Sequence, residues 1–320
     1  MAQQRFDWCF PYTSPRTPVL GANVVATSQP LAAQAGIRMF LRGGNAVDAA
    51  VAAAIALTVV EPTMNGIGGD ALALVWDGAS LHGLNATGRS PAAWTFEQFS
   101  DLSEMPATGW GSVTVPGAVS SWIALSRRFG NLPFAELFAP ALEYAERGYP
   151  VSPFVARTWK EAAEKYRSFD SFVSTFLPQG AAPSPGDWFR APQHARTLAE
   201  IADSQGESFY RGRIARLIAD WSRRTGGLLD EADLANHTAD WVEPLSVTCG
   251  ECTLHELPPN CQGIAALLGM LNSCASGAPG YLWHGLRAWF CDVDSWWQHA
   301  RFWCGNDVRR WLAVVRWGAT

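Results

Sequence analysis

The run Ala46-Val47-Asp48-Ala49-Ala50-Val51-Ala52-Ala53-Ala54-Ile55-Ala56-Leu57-Thr58-Val59-Val60 constrains this chain more than any other stretch. Ala, Val, Ile and Leu cover every face of the helix it predicts, so that helix has no side to give to water and must be enclosed. Asn45 ahead of it is a good N-cap. Asp48, three residues on, imitates a capping box and suits the positive end of the helix. Before it, Gly43-Gly44 ends a helix predicted over 29–41 from the spacing of Leu31, Ala35 and Met39, and Pro62 closes the run behind Val60. The most apolar part, Ala49 to Val60, has 12 residues, short of the roughly 20 that span a bilayer.

A helix enclosed on all sides needs a large core, and the composition can supply one. The 320 residues are 48% hydrophobic and 17% charged, a profile that excludes a disordered or fibrous chain. At about 150 residues per domain this length gives one large domain or two small ones. The net charge of −5 leaves no electrostatic footprint for nucleic acid. No segment reads as a membrane span, and the opening Met-Ala-Gln-Gln-Arg-Phe-Asp-Trp lacks the apolar core of a signal peptide, so a soluble, cytoplasmic protein is expected.

Residues 1–20, rich in proline and aromatics, read as an irregular lead-in, and Gly21 to Ser28 as a strand. After the Gly66-Ile67-Gly68-Gly69-Asp70 loop, Ala71 to Trp76 and Ser80 to Asn85 form a predicted hairpin turning at Asp77-Gly78. Residues 95–220 are mostly helical, Glu231 to Leu234 a short helix, and Leu245 to Val247 and Thr253 to Leu257 two more strands. With no internal repeat and no clear linker, strand pairs around packed helices argue for an α+β or layered α/β fold in one domain.

Isolated features identify no activity. The Gly66–Asp70 loop follows a helix and precedes a strand, the reverse of a dinucleotide fingerprint, and lacks the Lys-Ser/Thr of a P-loop; it reads as a tight passage. No Gly-x-Ser-x-Gly presents a serine, and the six histidines read as surface or satisfied core. The seven cysteines include Cys249-Gly-Glu-Cys252, but no second pair completes a zinc site and the following residues read as strand. They are taken as unrelated thiols, without a disulfide framework, and no metal or cofactor is implied.

The order of motifs says more. Arg42-Gly43-Gly44-Asn45-Ala46-Val47-Asp48-Ala49-Ala50-Val51 is followed by Glu61-Pro62, Gly66-Ile67-Gly68-Gly69-Asp70 and Val115-Pro116-Gly117-Ala118-Val119. Phe209-Tyr210-Arg211-Gly212, Leu228-Leu229-Asp230-Glu231-Ala232-Asp233-Leu234 and Leu257-Pro258-Pro259-Asn260 come after. This string resembles the gamma-glutamyltransferase (gamma-glutamyltranspeptidase) family, in the branch that includes cephalosporin-acylase-like members, over about residues 21–272. The resemblance implies an α+β, N-terminal-nucleophile hydrolase fold, a four-layer αββα sandwich incomplete in this chain. It implies a precursor that cleaves itself, freeing a threonine at the start of a small subunit from the same precursor. That threonine's own α-amino group serves as base. The substrate implied is a small-molecule acyl amide, gamma-glutamyl or related, with no cofactor.

Two departures from the family follow. Its gamma-glutamyl-specific members clamp the substrate carboxylate with an arginine, bidentate geometry being what arginine does best. Counting back from Pro91, that position is Thr87 here, within Asn85-Ala86-Thr87-Gly88-Arg89. Arg89 lies two residues on, facing the same way if the strand continues, or is simply a surface arginine. Asn85, Thr87 and Arg89 are therefore the candidate substrate-binding residues. The resemblance also ends near Asn272, before any catalytic threonine. Residues 273–320 hold seven of the 16 tryptophans and three of the seven cysteines, with no Lys or Glu. They read as GC-rich DNA translated out of frame, and the chain as written is expected to be catalytically silent. The alternative is a non-catalytic scaffold whose tryptophan-rich tail is a genuine binding surface.

Overall fold

The computed structural model describes residues 19–177, 179–250, 252–275 and 312–313. The expected lead-in (1–20) and tail (273–320) lie almost entirely outside the described residues.

In chain order the first elements are α1 (Pro30–Leu41), α2 (Ala46–Val60), β1 (Ala71–Trp76), β2 (Leu81–Ala86), α3 (Ala118–Phe129) and α4 (Ala139–Arg147). Next come β3 (Tyr149–Pro150), α5 (Pro153–Lys165), α6 (Asp170–Phe176), β4 (Trp188–Phe189), α7 (Pro192–Asp203), α8 (Glu207–Arg211) and α9 (Arg213–Arg224). The series ends with α10 (Glu231–Ala235), β5 (Asp240–Val242), β6 (Leu245–Cys249), β7 (Cys252–Glu256), α11 (Gly263–Ala275) and β8 (Leu312–Ala313). Mixed helix and strand make the class α+β, as expected. The chain forms two compact units, one from the chain up to Gly66 with Phe129–Asp203, the other from Ile67–Arg128 with Ser204 onward. Each is discontinuous in sequence, so no single linker separates them.

The first unit is helical and organised on α2, of which every residue except Ala46 and Ala54 is buried. The capping box forms as expected: Asn45 Oδ1 accepts from Val47 N and Asp48 N, and Asn45 N donates to Asp48 Oδ2 at 2.8 Å. Asp48 does more than cap. With no exposed surface, its carboxylate also accepts from Asn131 N at 3.0 and 3.1 Å and from Leu132 N at 3.4 Å, while Asn45 Nδ2 donates to Phe129 O at 2.6 Å. The Gly43–Asp48 signature thus fastens the start of α2 to the turn after Phe129. Elsewhere in this unit Trp159 is fully buried, donates Nε1 to Phe176 O and meets the Phe189 ring edge-on at 4.7 Å. Tyr149 donates its hydroxyl to Val59 O at 2.7 Å.

The second unit holds a sheet in the order β5-β2-β1-β8, with β1, β2 and β5 antiparallel in turn and β8 parallel to β1, beside a separate β6–β7 hairpin. Three expectations change. Gly21 to Ser28 forms no strand; the Val25 methyls rest where Gly36 of α1 leaves room, and the segment finds no strand to pair with. The second hairpin strand starts at Leu81, not Ser80, because Asp77 Oδ1 accepts from Ala79 N and Ser80 N at 2.8 Å and keeps both in the turn. Cys249 is disulfide-bonded, correcting the reading of unrelated thiols; the β6–β7 register sets Cys249 opposite Cys252. Among the described residues no helix is long and apolar enough to cross a membrane.

Two stability predictions follow from the first unit. Asp48→Asn turns an NH2 group toward backbone donors in a closed site, and we expect a loss of about 3 kcal/mol, read as a shift in urea midpoint. Burial takes the His194 imidazole from 6.5 down to about 4. Its Nε2 donates to Thr58 Oγ1 at 3.2 Å, since the Thr58 proton goes to Ile55 O at 2.7 Å. The unfolded chain protonates this histidine below its ordinary value and the folded chain resists, so stability is complete above pH 6.5 and drains as pH falls toward the folded value. Between about pH 7 and pH 4.5 the loss is about 2–3 kcal/mol, and urea titrations of His194→Gln should lack that part of the pH dependence.

Candidate functional site

All three candidate residues lie where β2 ends, inside the second unit. Asn85, 6% exposed, donates Nδ2 to Pro258 O at 3.0 Å and to Asn260 Oδ1 at 2.8 Å. Its Oδ1 accepts from Thr87 N at 3.0 Å and from the Thr87 hydroxyl at 2.7 Å. Asn260 Nδ2 in turn donates to Thr87 Oγ1 at 2.9 Å. Asn85, Thr87 and Asn260 therefore close a ring of side-chain hydrogen bonds, and the one hydroxyl proton of Thr87 is committed inside it.

Beyond Thr87 the backbone is clamped. A Cβ on Gly88 would lie 1.5 Å from Val115 O, and one on Gly117 would lie 1.9 Å from Ala86 O, so only glycine permits this approach. Val115 N donates to Arg89 O at 3.0 Å, and Gly117 N and Ala118 N both donate to Gly69 O at 2.9 Å. Three motifs far apart in sequence meet here: the Gly66–Asp70 loop, the 85–89 segment and the Val115–Ala118 entry to α3. A fourth, around Asn260, arrives through the ring.

Arg89 is placed differently from Thr87. β2 has ended, its side chain is 72% exposed, and its only ion-pair partner among the described residues is Asp240 of β5, at 3.6 Å. Asp240 is itself opposite Asn85 in the β2–β5 register. Three residues before it, His237 is 6% exposed, stacks on Tyr210 with ring centroids 5.3 Å apart, and has Nε2 3.0 Å from Ser120 Oγ. Ser120 donates its own proton to Gly117 O at 2.7 Å, so His237 carries its hydrogen on Nε2 and donates to Ser120. Tyr210 donates to Pro116 O at 2.8 Å and accepts from Ser120 N at 3.0 Å, and burial pushes its hydroxyl up to about 12. Burial, then the charge of Arg89, hold His237 below its ordinary value against the opposing pull of Asp240. Ser120 and His237 thus resemble a nucleophile–base pair in distance alone: the protons run the wrong way for the histidine to activate the serine. No group of three His, Cys, Asp or Glu among the described residues could hold a metal ion.

Residues 32–278 match the gamma-glutamyltranspeptidase family profile. The chain belongs to the gamma-glutamyltranspeptidase family. It is 35% identical over 248 residues to the glutathione hydrolase-like YwrD proenzyme of Bacillus subtilis, covering 77% of this chain and 47% of that one. It is 33% identical over 289 residues to the acylase ACY 1 proenzyme of Pseudomonas sp. (strain V22), covering 84% and 51%. In structure it is similar to the cephalosporin acylase from Bacillus halodurans, with TM-score 0.79 and 47% identity over 82% of this chain and 51% of that one. The chain spans about half the length of these relatives. Over that part its α+β fold is the N-terminal-nucleophile hydrolase fold of gamma-glutamyltranspeptidases and acylases.

Within this family member, sequence reasoning named Asn85, Thr87 and Arg89 but missed their partners Asn260 and Asp240, and missed the Ser120, Tyr210 and His237 cluster at the entry to α3. Asn260 and Tyr210 stood in the motifs without a role; Asp240 carried no signal, because only the pairing of β5 with β2 brings it here. Asn85→Ala strands Pro258 O, Thr87 N and Asn260 Oδ1, so we expect about 2–3 kcal/mol of destabilisation in chemical denaturation, whereas Arg89→Ala should cost under about 0.5 kcal/mol.

Proposed function

We propose that this chain forms the large-subunit part of an amide hydrolase or acyltransferase acting on small-molecule acyl amides, with Arg89 anchoring a carboxylate on the acyl group. The observation that carries the reading is the contrast at the end of β2. Thr87, where gamma-glutamyl-specific members are expected to carry their arginine, is consumed in the ring with Asn85 and Asn260. Arg89 two residues on keeps all its guanidinium donors free of hydrogen bonds among the described residues. Arginine presents a planar fork to a carboxylate, and an exposed one with a single loose ion contact is ready to do so. Asn85 and Thr87 then shape the site by holding the strand end, and Arg89 touches the substrate. The similar acylases and glutathione hydrolases are named as proenzymes, which fits a nucleophilic threonine released by self-cleavage. In this reading the threonine and its small subunit belong to the half of the relatives that the chain does not span.

The experiment is to assay the purified 320-residue chain alone and after co-expression with the C-terminal half of the Bacillus halodurans acylase, on glutaryl and gamma-glutamyl anilides. We expect no turnover alone, turnover when complemented, and at least about a tenfold fall in kcat/KM, carried by KM, for Arg89→Ala. Turnover by the chain alone, or complemented activity indifferent to Arg89, overturns the reading.

A further inference from the structure

Helix α11 turns an apolar stripe outward. Its 13 residues, Gly263–Ala275, include no charged side chain. Residues 263, 267 and 270 line one face. Leu267 and Met270 are each 4% exposed, a Cβ on Gly263 would lie 2.7 Å from Glu256 Cβ, and the helix packs on the β6–β7 hairpin. About 100° further round the helix, Ile264, Leu268 and Leu271 repeat the same spacing, yet they are 53%, 55% and 47% exposed.

A surface helix of a finished domain carries polar groups on its outer side. This one carries three large aliphatic side chains there at i, i+4 and i+7, the spacing by which a helix is gripped in an apolar groove. Single exposed leucines are ordinary; a stripe of them on an uncharged helix marks an interaction surface. Gly269 borders the stripe, and a Cβ there would meet nothing within 4 Å among the described residues. Glycine in mid-helix weakens the helix and here opens its backbone to close approach by another chain.

The length of the relatives indicates what covers the stripe. They carry about as much chain again as this one matches, and the family match ends at residue 278, just past Ala275 where α11 stops. We propose that the Ile264–Leu268–Leu271 stripe is the docking surface for the half of the enzyme that this chain does not span, the polypeptide that follows the matched region in the full-length relatives. That polypeptide departs from the end of α11, so its apolar segments meet the stripe at high effective concentration. The face that fits is aliphatic and uncharged, since α11 offers no charge to pair with.

This rests on reading the chain as the large-subunit part of a longer enzyme, and the test keeps the two apart. The natural 320-residue chain, Leu268→Lys and Leu268→Met are each co-expressed with an affinity-tagged C-terminal half of the Bacillus halodurans acylase. Co-purification is measured beside hydrolysis of glutaryl and gamma-glutamyl anilides. We expect the natural chain and Leu268→Met to co-purify with the half-enzyme, and Leu268→Lys, which sets an ammonium in an apolar interface, to bind at least about thirtyfold more weakly. Alone, Leu268→Lys should melt within about 2 °C of the natural chain, because position 268 is exposed. Failure of the natural chain to associate, or association that Leu268→Lys does not weaken, overturns the docking surface. So does a large fall in the melting temperature of Leu268→Lys alone, which shows the stripe already covered within this chain. A dimer of the natural chain that Leu268→Lys abolishes makes a second copy the occupant and overturns it too. Association without hydrolysis leaves the docking surface standing and overturns the amide-hydrolase reading.

Discussion

A single enclosed carboxylate sets the frame of the first unit. Helix α2 has apolar residues on every face, so packing gives it no preferred orientation of its own and its ends must fix where it starts and what it meets. Asp48 does this by gathering amides from two places: Asn45 at the helix start and Asn131–Leu132 after the long excursion through the second unit. A buried charge is tolerated only where donors surround it, and here the donors are backbone groups whose position the charge dictates in return. Residues 42–51, the most recognisable stretch of the sequence, are therefore structural. They close a loop some 80 residues long.

The second unit follows the opposite logic at the end of β2. Close backbone contact at Gly88 and Gly117 leaves the main chain no freedom, while the side chains on either side divide into committed and uncommitted. Thr87 has its proton and its lone pairs engaged; Arg89 has a weak ion contact and water. Distance alone would have promoted Ser120 and His237 to a catalytic pair, and distance alone would have ranked Thr87 with Arg89. Counting protons demotes the first pair and separates the second, because each hydroxyl has one hydrogen and each partner carbonyl can only accept.

What the sequence made legible tracks how local the cause is. The capping box at Asn45–Asp48, the stop at Gly43-Gly44, the hairpin at Asp77-Gly78 and the short helix at Glu231 all arise from residues within a few positions of each other, and all are present. The strand read into Gly21–Ser28 failed because alternation states only that a segment could pair, not that a partner exists. The same gap hid β5: three residues, Asp240–Val242, with no pattern of their own become a strand because β2 has a free edge. That one pairing brings Asp240 to Arg89, a neighbour that no local pattern announced. Side-chain commitments, such as the role of Asn260, depend on contacts across about 170 residues and leave no local trace.

The clamped backbone also limits what can change at this strand end. Because Val115 O fills the space a Cβ would need at Gly88, and Val115 N holds Arg89 O, the Cα positions of 87 and 89 are fixed relative to the α3 entry. A cation can then be offered from either position without moving the chain, but not with equal consequence. At 87 an arginine would have to leave Asn85 and Asn260 to satisfy each other, opening the ring that ties the strand end to Pro258. At 89 it projects clear of that ring toward β5, where it meets the Asp240 carboxylate in place of amides. Moving the cation two residues along a rigid segment thus keeps the scaffold intact and changes what stands beside the guanidinium. In this chain the group beside that position is the Asp240 carboxylate, where position 87 stands between two amides.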